Sequence, residues 1–86
     1  MNNKVLVKII IPELDDDFDC FIPVNELVWK IKKMLVKSVS DLTSCEMNLN
    51  KNYVLINKDN SKVYNNNDVI IATDIRNGTE LYLMSI

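Results

Sequence analysis

The segment KVLVKIII, Lys4 to Ile11, is β-branched and almost continuously apolar, and it stops at Pro12, which has no N–H to give to a sheet ladder. It reads as a central strand. After the turn PELDDD, the stretch Phe18 to Val24 sets Phe18, Cys20 and Ile22 against the charged Asp19, the alternation of a hairpin's second arm. The period then changes. At about 100° per residue, Leu27, Val28, Ile31, Met34, Leu35 and Val39 share one arc, with Lys30, Lys33 and Lys37 outside it. This predicts an amphipathic helix from Glu26 to about Val39, with Asn25 as its N-cap.

No period is sustained from Ser40 to Asn52, where turn formers predominate, so a long connection is expected with Leu42, Met47 or Leu49 turned inward. YVLIN predicts a strand, KDNS a turn and KVY a short strand that closes a second hairpin. VIIATDI suits either a strand or a tight helical turn. Asn77-Gly78 supplies a positive φ ahead of TELYLMSI, the final strand. The first and last strands are read as the two most continuously apolar, and a right-handed crossover through the helix would make them a parallel central pair. The expected class is α+β: a β-grasp with a mixed sheet of four to five strands and one helix packed on one face, forming a single domain over residues 1–86.

Composition removes most chemistry. The chain has no histidine, one glycine and two cysteines. Histidine-dependent bases, nucleophile pairs and zinc sites are therefore absent, as is a glycine-rich phosphate cradle. Asp15, Asp17 and Asp19 alternate as at the start of a calcium loop, but Cys20 stands where such a loop needs glycine and the closing glutamate is missing. A solvated hairpin tip is the better reading. No catalytic residue, metal or cofactor is expected, so the chain is read as not an enzyme. Cys20 and Cys45 are expected to be free thiols. Ten basic residues against twelve acidic, with Arg76 the single arginine, argue against nucleic acid as a partner. No apolar run is long enough to insert in a membrane, and the N-terminus shows no secretory signal, so a cytoplasmic protein is expected.

The stretch IIATDIRNGTELYL, from Ile70 to Leu83, resembles the end of ubiquitin-like proteins, where a short turn, a buried isoleucine and a polar or glycine turn precede an alternating last strand. With KVLVKIII and NELVWKIKKML the resemblance spans nearly the whole chain. Within that fold, Ile75-Arg76-Asn77-Gly78-Thr79-Glu80-Leu81 is similar to the ending of the bacterial EsaB/YukD group, small cytosolic accessory proteins of type VII secretion. Thr79 stands where that pattern prefers Asp, and Ile70-Ile71-Ala72 replaces its Leu-Ser-Asp turn. The chain ends Met84-Ser85-Ile86 without a Gly-Gly tail, so a non-conjugating member is expected, neither modifier nor sulfur carrier.

What remains is binding to a protein partner. Strand parity turns Val5, Val7, Ile9 and Ile11 toward the helix and leaves Leu6, Lys8 and Ile10 on the open face; in the last strand Leu81 and Leu83 point in and Tyr82 and Met84 out. Leu6, Ile10, Tyr82 and Met84, with Lys8 at the rim, are one candidate partner surface. The alternative is that they only satisfy strand propensity or pack under a loop. A second candidate is the back of the helix, where Trp29 and Val36 lie opposite the predicted buried arc between Lys32 and Lys33. Trp29 could be a partner's hot spot, could lie under the 40–52 connection, or could stack on a lysine. Two functions follow: an adaptor docking on a membrane-associated secretion component, or a small non-catalytic subunit of a multicomponent enzyme.

Overall fold

The computed structural model describes residues 3–43 and 51–86. Its elements are strands β1 (Lys4–Ile11), β2 (Asp16–Pro23), β3 (Tyr53–Asn57) and β4 (Glu80–Ser85) and one helix, α1 (Val28–Thr43), with 3-10 turns at Pro12–Leu14 and Ile70–Ala72. The strands form one mixed sheet in the order β2-β1-β4-β3. β1 pairs antiparallel with β2 and parallel with β4, and β3 closes the far edge antiparallel to β4. This is the ubiquitin-like β-grasp.

Alternation along the strands decides which face the helix covers. Val7, Ile9 and Ile11 of β1, Leu55 of β3 and Leu81 and Leu83 of β4 are buried, together with Val28, Ile31, Leu35 and Val39 of α1. Removing such side chains from water is worth about 1.5–3 kcal/mol each. Among the described residues one helix covers one face only, and on the other face Leu6 is exposed and Lys8, Ile10, Tyr82 and Met84 are half-buried.

The helix differs from its predicted form in onset, length and rotation. It begins at Val28, and Asn25 does not cap it. Instead the N–H groups of Val28 and Trp29 donate to the backbone carbonyls of Asp68 and Asn66 at 2.9 and 3.2 Å, so a segment late in the chain satisfies donors a helix start leaves open. The helix runs on to Thr43, four residues past the expected end, and Leu42 is 71% exposed, not turned inward. The buried arc is rotated by about 60° toward Val36, which is 2% exposed and not an outward-facing residue. Lys32 lies inside that arc: its stem is partly buried and its Nζ emerges to donate to the Tyr53 carbonyl at 2.8 Å. Expected on the back of the helix beside Trp29 and Val36, this lysine instead covers apolar surface with its stem. Met47, Leu49 and Cys45 lie outside the described residues.

KVY forms a single isolated bridge, Ile56 to Val63, in place of a strand. VIIATDI resolves into the 3-10 turn Ile70–Ala72, with Ile75 buried after it. Gly78 has φ +89° and sits third in the turn from Arg76 to Thr79, which the Thr79 N–H closes onto the Arg76 carbonyl at 3.1 Å. Its own N–H donates to the Leu6 carbonyl at 2.8 Å and prolongs the parallel ladder beyond β4.

A Cβ at Gly78 would meet nothing within 4 Å, so substitution there tests backbone conformation alone. Gly78→Ala is expected to cost about 1 kcal/mol and lower Tm by about 4–8 °C in thermal unfolding. An unchanged Tm would show that the turn tolerates an L residue and does not set the junction with β1.

Candidate functional site

The open face of the sheet is assembled by register. Leu6 faces Phe21 across β1 and β2, and Lys8 lies between Asp19 and Glu80. Ile10 is flanked by Asp17 and Tyr82, Tyr82 faces Ile56, and Met84 faces Val54. The five residues predicted from strand parity therefore do share this face, but not as one patch. The charged row of Asp19, Lys8 and Glu80 divides it, and Lys58 pairs with Glu80 at 3.2 Å to extend that row. On one side, Leu6 and Phe21 are 39% and 56% exposed. On the other, Ile10, Tyr82, Ile56, Met84 and Val54 form a broader, half-buried apolar field.

Sequence reasoning missed Phe21, Ile56 and Val54. The alternation of YVLIN would have placed Val54 and Ile56 opposite the inward Leu55, but β3 was not known to neighbour β4. Leu6 is fixed by its backbone: its N–H donates to Asn77 Oδ1 at 2.8 Å and its carbonyl accepts from Gly78. At the opposite end, Glu13 Oε1 accepts the Ser85 N–H at 2.6 Å, which ties the end of β4 to the turn after β1 and lowers the Glu13 pKa. A concavity of about 280 Å³ there joins Ile10 and Tyr82 to Asp16 and Asp17.

The helix-side candidate takes a different form from the one expected. Trp29 is 40% exposed, with the Lys30 ammonium 5.6 Å from its ring centroid. Trp29, Lys32, Lys33 and Val36 do come together, along one wall of a groove of about 580 Å³ whose other side is built by Lys51, Tyr53 and the 64–66 segment. Val36 belongs to this groove as a buried side chain.

Tyr64 anchors that far side. Its hydroxyl donates to Asp74 Oδ1 in a short bond and accepts from Asn57 Nδ2 at 3.1 Å, while Asn60 Nδ2 donates to Asp74 Oδ2 at 2.9 Å. Burial, helped by the Asp74 carboxylate, raises the Tyr64 pKa to about 12; the hydrogen bond from Tyr64 lowers that of Asp74. Cys20 is a free, half-buried thiol whose pKa burial raises. Among the described residues no cluster of three or more His, Cys, Asp or Glu side chains could hold a metal ion, and no helix is long and apolar enough to cross a membrane.

No family model matches the chain, and no curated protein matches it. Solved structures do. Over 99% of its length the chain is similar, at 18% identity and a TM-score of 0.81, to part of a chain in the MycP5-free ESX-5 inner membrane complex. It spans 21% of that chain. It is also similar to the ubiquitin-like domain of Plasmodium falciparum Dsk2, at 14% identity and a TM-score of 0.74, covering 96% of this chain and 99% of that one. A chain of the toluene 4-monooxygenase HD complex matches over 96% of this chain and 99% of its own, at 4% identity and a TM-score of 0.78. At these identities the likeness is one of fold.

The Tyr64 network makes a pH-dependent prediction. The folded state keeps the Tyr64 proton from about pH 10, where a free tyrosine loses it, to about 12, so stability should fall as pH rises through that window and not below it. Tyrosinate absorbance should show a late ionisation near pH 12, and Tyr64→Phe should remove that step while costing about 1–3 kcal/mol by stranding Asn57. A late step that persists in Tyr64→Phe, or the lack of any late step in the parent, would refute the buried, bonded hydroxyl.

Proposed function

We propose that this protein is a ubiquitin-like adaptor, without catalysis of its own, that acts by docking the open face of its sheet on a protein partner. The observation that carries the reading is the divided apolar face itself: Leu6 with Phe21 on one side of the Lys8–Glu80 row, Ile10, Tyr82 and Met84 on the other. Apolar side chains left in water on a sheet face cost solubility, and a rigid four-stranded scaffold holds these in a fixed pattern. A charged row between two apolar fields favours a partner that places complementary charge at the centre and apolar side chains on either side. Asp16 and Asp17 beside the Tyr82 concavity favour basic groups at that end.

The finer assignment is a cytosolic accessory or assembly factor of a type VII-like secretion apparatus, of the bacterial EsaB/YukD kind, docking on one of its membrane-associated components. The likeness to part of a chain of the ESX-5 inner membrane complex supports it, as does the Ile75 to Leu81 ending. A second reading, a small non-catalytic subunit of a multicomponent enzyme, is supported by the near end-to-end match to a chain of the toluene 4-monooxygenase complex. In that case the same face would sit in a permanent complex.

Affinity capture of the tagged protein from its own cells, beside a Leu6→Asp/Tyr82→Ala variant verified as folded, separates the two. Secretion-apparatus membrane proteins recovered with the parent and reduced at least about tenfold with the variant are the expected result. A stoichiometric soluble enzyme would replace the first reading with the second. Recovery unchanged by the variant would remove the sheet face as the site.

A further inference from the structure

The groove between α1 and β3 meets the open sheet face only at the edge strand, through Val54, and its chemistry is different. Its floor and one wall are apolar, from Val36, Tyr53 and the half-exposed Trp29. Among the described residues that line it, the charged side chains are Lys32, Lys33 and Lys51, none is Asp or Glu, and Ile86 adds a further apolar side chain, although the chain as a whole carries a net charge of −2. Basic residues have thus been gathered on one concavity of an acidic protein.

We propose that this groove is a docking site for an acidic peptide segment that carries a bulky apolar side chain. The apolar side chain would lie against Trp29 and Val36, and the flanking carboxylates would meet the three ammonium groups. Lys32 makes the strongest case for an anion. Its Nζ is drawn into the partly desolvated groove with the neutral Tyr53 carbonyl as its hydrogen-bond acceptor, and burial lowers its pKa, so a carboxylate there would relieve a cost already present. Lys33 forms no ion pair among the described residues. Lys51 is partly offset by Glu13, whose carboxylate is also held by the Ser85 N–H. Lys30, by contrast, points off the groove, 3.9 Å from Glu26 and over the Trp29 ring.

The volume, about 580 Å³, falls in the range of small-molecule pockets, about 300–1,000 Å³, which is room for a bulky side chain, and the groove is open enough to admit a chain on either side of it. Concavity also selects the class of partner. A flat bilayer would bridge the rim and leave Val36 untouched, whereas a peptide can reach the floor. A basic segment would be repelled, and a neutral apolar one would leave the lysines desolvated without compensation.

Trp29 is the only tryptophan, so its emission reports on the groove directly. The full chain is titrated with an acetylated and amidated octapeptide, Glu-Asp-Glu-Leu-Phe-Glu-Asp-Glu, followed by fluorescence and by calorimetry. A control peptide has lysine at every acidic position. The expected result is saturable binding of the acidic peptide alone, weakened at least about tenfold by raising the salt from about 0.05 to 0.5 M. A Lys33→Glu/Lys51→Glu variant with unchanged Tm should lose at least about tenfold in affinity, and Leu6→Asp/Tyr82→Ala should bind as the parent does. The last comparison keeps this site independent of the sheet-face reading. Silence in both readouts, equal binding of the basic peptide, or full binding by the charge-reversed variant would overturn the proposal. A Trp29 response to phosphatidylserine vesicles without one to the acidic peptide would overturn it in favour of a membrane surface.

Discussion

The parallel pairing of β1 with β4 is the constraint on which everything else rests. Two parallel neighbours cannot be joined by a tight turn, so the chain between them must leave the sheet and cross over. Here it does so through α1, then returns on the outside of β4 as β3. That path fixes three consequences at once. One face of the central pair is covered by helix, and β1 and β4 each have a neighbouring strand on both sides. The edges then fall to β2, with its aspartates, and to β3, which is as apolar as β4.

The same path creates the two surfaces. The open face exists because a single helix has only one side of the sheet to cover. Its pattern is set by registers on both flanks of the central pair, with β1 facing β2 on one side and β4 facing β3 on the other. The groove exists because α1 rotates toward β3 and the 64–66 segment closes the space beyond it. One surface is apolar with a charged dividing row; the other is basic around an aromatic rim. The fold is shared by domains with very different attachments, so it is these surface patterns that distinguish this chain.

Much of this was legible in the order of residues, and the limits have physical causes. β1 and β3 carry short-range signals strong enough to set their own bounds, because β-branched runs ended by Pro12 or by turn formers leave little alternative. The inward and outward assignments of β1 and β4 follow from the period of two alone. The onset of α1 was not legible, since its first donors are satisfied by carbonyls of residues 66 and 68, not by a local side chain. Nor was the burial of Val36: Lys32 sits on the same side of the wheel, and a period analysis counts a lysine as exposed even when its stem is packed. The division of the sheet face needed the register, which no local pattern encodes; only then does Glu80 come opposite Lys8.

The way α1 begins has a bearing on how the chain folds. An isolated helix of this length is marginal in water, and here the first turn is completed only when a segment some forty residues later has arrived. That segment also bonds back to Glu26 and Val24, through the N–H groups of Ile70 and Ile71. The entropy of closing this loop must be met before the helix gains its full set of bonds, so the N-terminal turn of α1 is expected to be completed only with the long-range contacts of the fold, while its C-terminal turns do not wait for that segment.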